Sequence, residues 1–114
     1  MSGIFVDVTD LAPGRMRAMK LGASNVVVCH AEGAYYALEN RCPHAFVPLD
    51  AGRLDGCVLE CPLHGGRLDV RDGRPLAQPI RKPATTYAVR VVPGGIEIDF
   101  TPGAAAHKEQ PCTT

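Results

Sequence analysis

The chain has 114 residues, twelve Lys and Arg against twelve Asp and Glu, and a formal net charge of zero. That is one domain with one modest core, and a bound metal group would help hold so small a fold together. The even balance leaves no basic excess for nucleic acid or an anionic membrane, so partner contact must rest on local patches and apolar surface. The first ten residues carry Asp7 and Asp10 and have neither a basic stretch nor a long apolar run. No segment has the apolar length of a membrane span. The expected location is the cytoplasm, where disulfides are rare and five Cys suit metal ligation plus ordinary thiols.

Short strands and turns follow one another along the chain. Residues 4–8 alternate in part, residues 15–21 follow the turn Pro13-Gly14, and residues 26–30 are a continuous, β-branched run. Glu32-Gly33 turns the chain into residues 34–38, so 25–30 and 34–38 predict a hairpin. Asp55-Gly56 is another turn signal, with residues 58–61 behind it, and residues 67–70 end at Asp72-Gly73. Residues 87–92, Pro93-Gly94-Gly95 and residues 96–100 predict a last hairpin, with Ile96, Ile98 and Phe100 alternating. Ten Pro and twelve Gly argue against long helices, and only residues 9–11 could open a helical turn. The class is all-β, with small antiparallel sheets in a sandwich or partial barrel. Cys29 lies in the apolar run and predicts a small core residue. Cys57 sits near a turn and Cys112 in the tail, and neither has a Cys or His at ligand spacing.

The chemistry lies in two short runs, Cys42-Pro43-His44 and Cys61-Pro62-Leu63-His64, with sixteen residues between His44 and Cys61. Each pairs one thiolate with one imidazole in a Pro/Gly-bounded loop, so Cys42, His44, Cys61 and His64 are the candidate ligands. Mixed Cys and His donors suit zinc, iron–sulfur groups and a few copper sites. A structural zinc site would use the same four side chains. The single residue between Cys42 and His44 is shorter than the usual zinc-ligand spacing, and zinc does not need these flanks. The Pro/Gly-rich stretch 41–81 reads as a metal-binding insert on a scaffold built from the two ends.

Taken with Leu49-Asp50-Ala51-Gly52, Leu54-Asp55-Gly56 and Gly65-Gly66, the two runs resemble those of a Rieske [2Fe–2S] ferredoxin. The likeness is to the ferredoxin component of bacterial multicomponent aromatic-ring dioxygenases. Leu68-Asp69, Gly73, Pro79, Pro83 and Tyr87 match that family's closing segment, and the similarity covers roughly residues 5–99. It implies a single Rieske domain over residues 1–100, a cluster-binding part at about 41–81, and a flexible tail at 101–114. It also implies one [2Fe–2S] cluster, with Cys42 and Cys61 on an inner iron and His44 and His64 on an outer, more exposed one. The glycines after His64 would let backbone N–H groups approach the sulfurs. Residues 79–83 would resemble the proline loop that covers the cluster, or be ordinary turns. Two ferric ions, two sulfides and two thiolates sum to a formal charge near zero, so an added electron costs less than in a four-thiolate cluster.

Respiratory relatives of high potential carry a disulfide between the two cluster loops, where this chain has Val47 and Leu63. They also present Ser and Tyr hydroxyls where Gly66 and Leu68 stand here. Fewer hydrogen bonds to sulfur predict a potential near the low end of the roughly −150 to +300 mV range of these centres. Ala45 in place of a common Gly, and Leu68 in place of a common aromatic, are departures that bear on partner preference.

The resemblance implies a one-electron carrier, not an enzyme. It would take electrons from a flavin-containing NAD(P)H reductase and pass them to a terminal Rieske oxygenase. Beyond His44 and His64 only His30 and His107 remain; the first ends a strand pattern and the second lies in the tail, so both read as incidental rather than as the two His of a mononuclear iron site with a carboxylate. No Gly-rich dinucleotide fingerprint follows a strand. Docking would surround His44 and His64, with Pro43, Phe46, Pro62 and Leu63 as apolar surface; Phe46 fits a core position equally well. Two alternatives stay open, the Rieske-like small subunit of an NADH-dependent nitrite reductase and a zinc-stabilised interaction module.

Overall fold

The structure, a computed structural model, describes residues 3–43, 47–62, 65–78, 80 and 82–99. Ten strands form in chain order: β1 (Gly3–Val6), β2 (Met16–Leu21), β3 (Ser24–Ala31), β4 (Ala34–Glu39), β5 (Arg53–Asp55), β6 (Val58–Glu60), β7 (Arg67–Asp69), β8 (Pro75–Ala77), β9 (Thr86–Val92) and β10 (Gly95–Asp99). A six-stranded sheet runs β1-β10-β9-β4-β3-β2, and a second sheet runs β5-β6-β7-β8. The all-β expectation is borne out.

β3 explains why the run at 26–30 shows no alternation. Val26, Val27, Val28 and Cys29 are all fully buried. Val27 and Cys29 belong to one apolar core, with Tyr36, Leu38, Leu49, Leu59 and Leu68. Val26 and Val28 belong to another, with Val6, Leu11, Ile96 and Ile98. A strand covered on both faces needs apolar side chains at every position, and each such side chain contributes about 1.5–3 kcal/mol. Burial pushes the Cys29 thiol up, so it stays protonated and inert, as a core residue. The first core lies toward the small sheet, and it is the one that holds the candidate ligand sulfurs.

Both predicted hairpins form. β3 and β4 close at the Ala31–Ala34 pair, and the two turn residues, Glu32 and Gly33, have φ of 52° and 84°. Such a two-residue turn with positive φ matches the strands' own twist. β9 and β10 pair from Gly95–Val92 to Asp99–Ala88. The two halves of the large sheet meet at a narrow seam, where β4 and β9 share the pairs Ala37–Tyr87 and Leu38–Thr86.

The structure differs from expectation in three local places. Residues 9–11 do not open a helix, because the Asp7 carboxylate accepts from both the Thr9 N–H (2.9 Å) and the Thr9 hydroxyl (2.7 Å) and fixes a turn. The helical turn is instead a 3-10 turn at Leu49–Ala51. β5 and β8 are strands of three residues each, hidden in the sequence by turn residues, Gly52 and Asp55-Gly56 around β5 and Pro75 in β8. Pro75 opens β8 at the sheet edge, where no N–H is needed for the ladder. Among the described residues no helix is long and apolar enough to cross a membrane.

Glu32 occupies a left-handed conformation that costs most L-residues about 1 kcal/mol or more. Glu32→Asn should raise unfolding stability by roughly 0.5–1 kcal/mol, read as a higher denaturation midpoint with an unchanged slope.

Candidate metal centre

Two loops with the same closure carry the two candidate sulfurs. The Cys42 N–H donates to the Val47 carbonyl (2.8 Å), and the Cys61 N–H donates to the Gly66 carbonyl (2.7 Å). In each loop the bond spans five positions, and the sequence positions of His44 and His64 fall inside those spans. His44 and His64 themselves lie outside the described residues, as do Ala45, Phe46, Leu63 and Pro79. Cys42 and Cys61 are 0% and 2% exposed. Neither is in a disulfide, and both belong to the core shared with Leu49, Leu59 and Leu68.

Each loop is braced from beneath. At the end of β4, Asn40 Nδ2 donates to Asp50 Oδ1 (2.9 Å) while the Asp50 N–H donates to Asn40 Oδ1 (3.0 Å). This reciprocal pair spans the base of the first loop. Gly52 then carries the chain against β6: a Cβ there would sit 1.9 Å from the Glu60 carbonyl oxygen, so only glycine fits. The second loop is the turn of the β6–β7 hairpin, whose last pair is Glu60–Arg67.

The segment after β8 packs into the same core. Ile80 and Ala84 are buried with Cys42 and Cys61. Gly73 has φ of 80°, and a Cβ on it would lie 2.3 Å from the Ala84 carbonyl oxygen. The Ala84 N–H donates to the Gly73 carbonyl (2.8 Å), and the Gly73 N–H to the Asp69 carbonyl (2.7 Å). Asp69 anchors this turn. Its carboxylate, 4% exposed, takes Arg71 Nη2 at 2.6 Å and Arg74 Nη2 at 3.4 Å. The Arg71 N–H adds a bond at 2.9 Å. Burial alone would raise the Asp69 carboxyl, but the Arg71 hydrogen bonds and the charges of Arg71 and Arg74 outweigh it and hold the carboxyl below the ordinary range.

The remaining candidates are placed as follows. His30 is engaged within the scaffold: Nδ1 meets the Leu11 carbonyl at 2.7 Å, and the ring stacks on Tyr35. A carbonyl can only accept, so Nδ1 carries the proton. Cys57 is buried in the same core as Cys42 and Cys61. Cys112 and His107 lie outside the described residues. Of the docking face, Pro43 is half-buried and Pro62 exposed. Val47 packs partly buried against the thiol core, so no cysteine bridges the loops from that position. Sequence reasoning missed the Asp69–Arg71 knot, and it missed a cross-strand row of Arg53, Glu60 and Arg67 beside the second loop. A signal for the row would have required β5 to be recognised and its register known.

Two buried sulfurs outside any disulfide, opening two matched loops in a dry core, suit a soft metal group with thiolate donors. Comparison with known proteins agrees. Residues 4–90 match the Rieske [2Fe-2S] domain family. The chain is 35% identical over 91 residues to ferredoxin CarAc of Metapseudomonas resinovorans, covering 79% of this chain and 85% of that one. The ferredoxin of carbazole 1,9a-dioxygenase from Nocardioides aromaticivorans superposes with a TM-score of 0.81 at 33% identity, covering 87% and 98% of the two chains. A ferredoxin solved in complex with its oxygenase, again from a carbazole 1,9a-dioxygenase, has a TM-score of 0.78 at 31% identity, covering 91% and 94%.

Asp69 makes the acid limit of this architecture predictable. Its depressed folded value means that its contribution is fully present above the ordinary value near 3.8 and is lost as pH falls through the lower folded value. Asp69→Asn should cost about 2 kcal/mol at neutral pH, because Arg71 loses its partner. Denaturant titrations from pH 7 down to pH 2 should show the variant's stability falling less steeply below about pH 4 than that of the unaltered protein.

Proposed function

This chain belongs to the Rieske [2Fe–2S] family, and from that membership we propose that it carries single electrons to the terminal oxygenase of an aromatic-ring dioxygenase system. Its donor is a flavin-containing NAD(P)H reductase, which places it in the cytoplasm, where that nucleotide is supplied. The observation that carries the reading is the pair of buried sulfurs at the heads of two identically closed loops, in a chain akin to dioxygenase ferredoxins. Cys42 and Cys61 would hold the inner iron, and His44 and His64 the outer. When bound, the cluster supplies a reversible one-electron site. The oxygenase keeps the chemistry on the aromatic ring.

The chain's own residues serve that role in identifiable ways. Leu38, Leu49, Leu59 and Leu68, all fully buried, exclude water from the sulfurs and keep the surroundings of low dielectric. Loop closure uses the Cys42 and Cys61 amides, so these two N–H groups point back to the loop ends. Leu68 offers no hydroxyl and Gly66 no side chain, which leaves fewer donors for the sulfurs. The exposed Pro62 leaves an apolar edge beside the second loop for transient contact.

Anaerobically prepared protein should contain two inorganic sulfides per chain and, when reduced, give the electron-spin spectrum of a mixed His/Cys two-iron centre. His44→Ala, His64→Ala, Cys42→Ser and Cys61→Ser should each abolish it, while Cys29→Ala should keep it. A colourless protein holding one zinc would overturn the reading. The midpoint potential should lie well below about +100 mV, near the low end of the range for these centres. In a reconstituted system, ring hydroxylation should depend on this chain together with a reductase and an oxygenase. Co-purification with a large nitrite-reducing subunit would favour that enzyme instead.

A further inference from the structure

Gly73 holds the chain between β8 and β9 against the core that contains the two candidate sulfurs. That segment sets two apolar side chains into the core. Ile80 is 2% exposed and Ala84 7%, both packed with Cys42, Cys61 and Leu68, while Gln78, Lys82 and Pro83 are exposed. The Ala84 N–H donates to the Gly73 carbonyl (2.8 Å). A Cβ on Gly73 would lie 2.3 Å from the Ala84 carbonyl oxygen and 3.1 Å from Thr86 Cγ2. The turn that carries Gly73 has little room to yield. The Gly73 N–H donates to the Asp69 carbonyl (2.7 Å), the Asp69 N–H donates to the Arg74 carbonyl (3.0 Å), and Arg71 grips the Asp69 carboxylate. The chain after Ala84 is fixed as well, because the Glu39 N–H donates to the Thr85 carbonyl (2.8 Å) and Thr86 pairs with Leu38. Pressure on Ala84 therefore passes back toward Ile80 and lifts it from the core.

We propose that Gly73 is a positioning residue for the metal group, acting through Ala84 and Ile80 to keep water from the core that holds Cys42 and Cys61. The proposal rests on the electron-carrier reading and adds a residue that tunes it. Reduction of a centre of formal charge near zero leaves a net negative charge, and water beside that charge stabilises it. A tightly seated segment therefore keeps the potential low, in the same direction as the missing donors at Gly66 and Leu68. Two constraints meet at Gly73, a positive φ of 80° and the nearby Ala84 oxygen. Gly94 shares the first, with φ of 82°, but the nearest atom to a Cβ there is Phe5 Cζ at an ordinary 3.9 Å. Gly94 turns the β9–β10 hairpin, whose Ile96 and Ile98 belong to the other core. The two glycines thus separate backbone strain from displacement of the segment.

The test compares Gly73→Ala and Gly94→Ala with the unaltered protein, each loaded with its cluster. An unaltered chain that never shows the two-iron spectrum defeats the electron-carrier reading itself, whereas with that spectrum present every later result bears on Gly73 alone. Both substitutions put a Cβ at positive φ, so both should lower the denaturation midpoint. Only Gly73→Ala should raise the midpoint potential of the centre. It alone should also strengthen the coupling of exchangeable deuterons to the reduced centre, read by pulsed electron-spin spectroscopy in deuterium oxide. Ile80→Ala removes one apolar side chain of the segment and leaves Gly73 intact. It should move both readings in the same direction, and it decides the matter if Gly73→Ala takes up no cluster. Potentials and deuteron couplings that match the unaltered protein, or an equal shift in Gly94→Ala, would overturn the proposal.

Discussion

Two sulfurs on separate loops must be buried together and yet stay open to one metal group, and this requirement organises the rest of the molecule. Irregular backbone is costly to bury, since its N–H and C=O groups need partners. Here each loop satisfies that need within itself, through the Cys42–Val47 and Cys61–Gly66 bonds. The large sheet supplies one wall through Val27, Cys29 and Leu38, and the small sheet supplies another through Leu59 and Leu68. Asn40 with Asp50 sets the height of the first loop. The glycine contact of Gly52 with the Glu60 carbonyl sets the distance between the first loop's end and β6.

Charge is kept out of that core with care. Asp69 is the one buried charged residue among those described, and it faces the turn it anchors. A buried ion pair is weak as a source of net stability, because desolvation offsets attraction. Its use here is positional: Arg71, the Gly73 turn and Ala84 are tied to β7 by one carboxylate and a short chain of backbone bonds. Other charges sit at the surface, in pairs such as Arg17 with Asp10 and Arg90 with Glu97.

The candidate ligand runs were legible because their chemistry is local. Cys42, His44, Cys61 and His64 lie within two stretches of three and four residues, and no fold knowledge is needed to notice them. The hairpins were legible for the same reason: Glu32-Gly33 and Pro93-Gly94-Gly95 are turn chemistry between apolar runs. β5 and β8 were not, since Gly52 and Asp55-Gly56 read as turns around β5 and Pro75 looks like a break until its edge position is known. The turn at Asp7 escaped because Thr9–Leu11 on its own resembles a helix start, and a side-chain bond two residues back decides otherwise. The Arg53–Glu60–Arg67 row is a property of register, invisible in a linear string.

The seam between β4 and β9 carries a wider meaning. The Glu39 N–H donates to the Thr85 carbonyl at 2.8 Å, so the polypeptide departs from the large sheet and rejoins it at neighbouring points. Everything that handles redox chemistry hangs between those two points, while the strands outside them form an uninterrupted hairpin framework. Such an arrangement works as a socket and a cartridge. Natural variation or deliberate grafting can replace the cartridge, with its loops, rim charges and potential, as long as the replacement begins and ends one hydrogen bond apart.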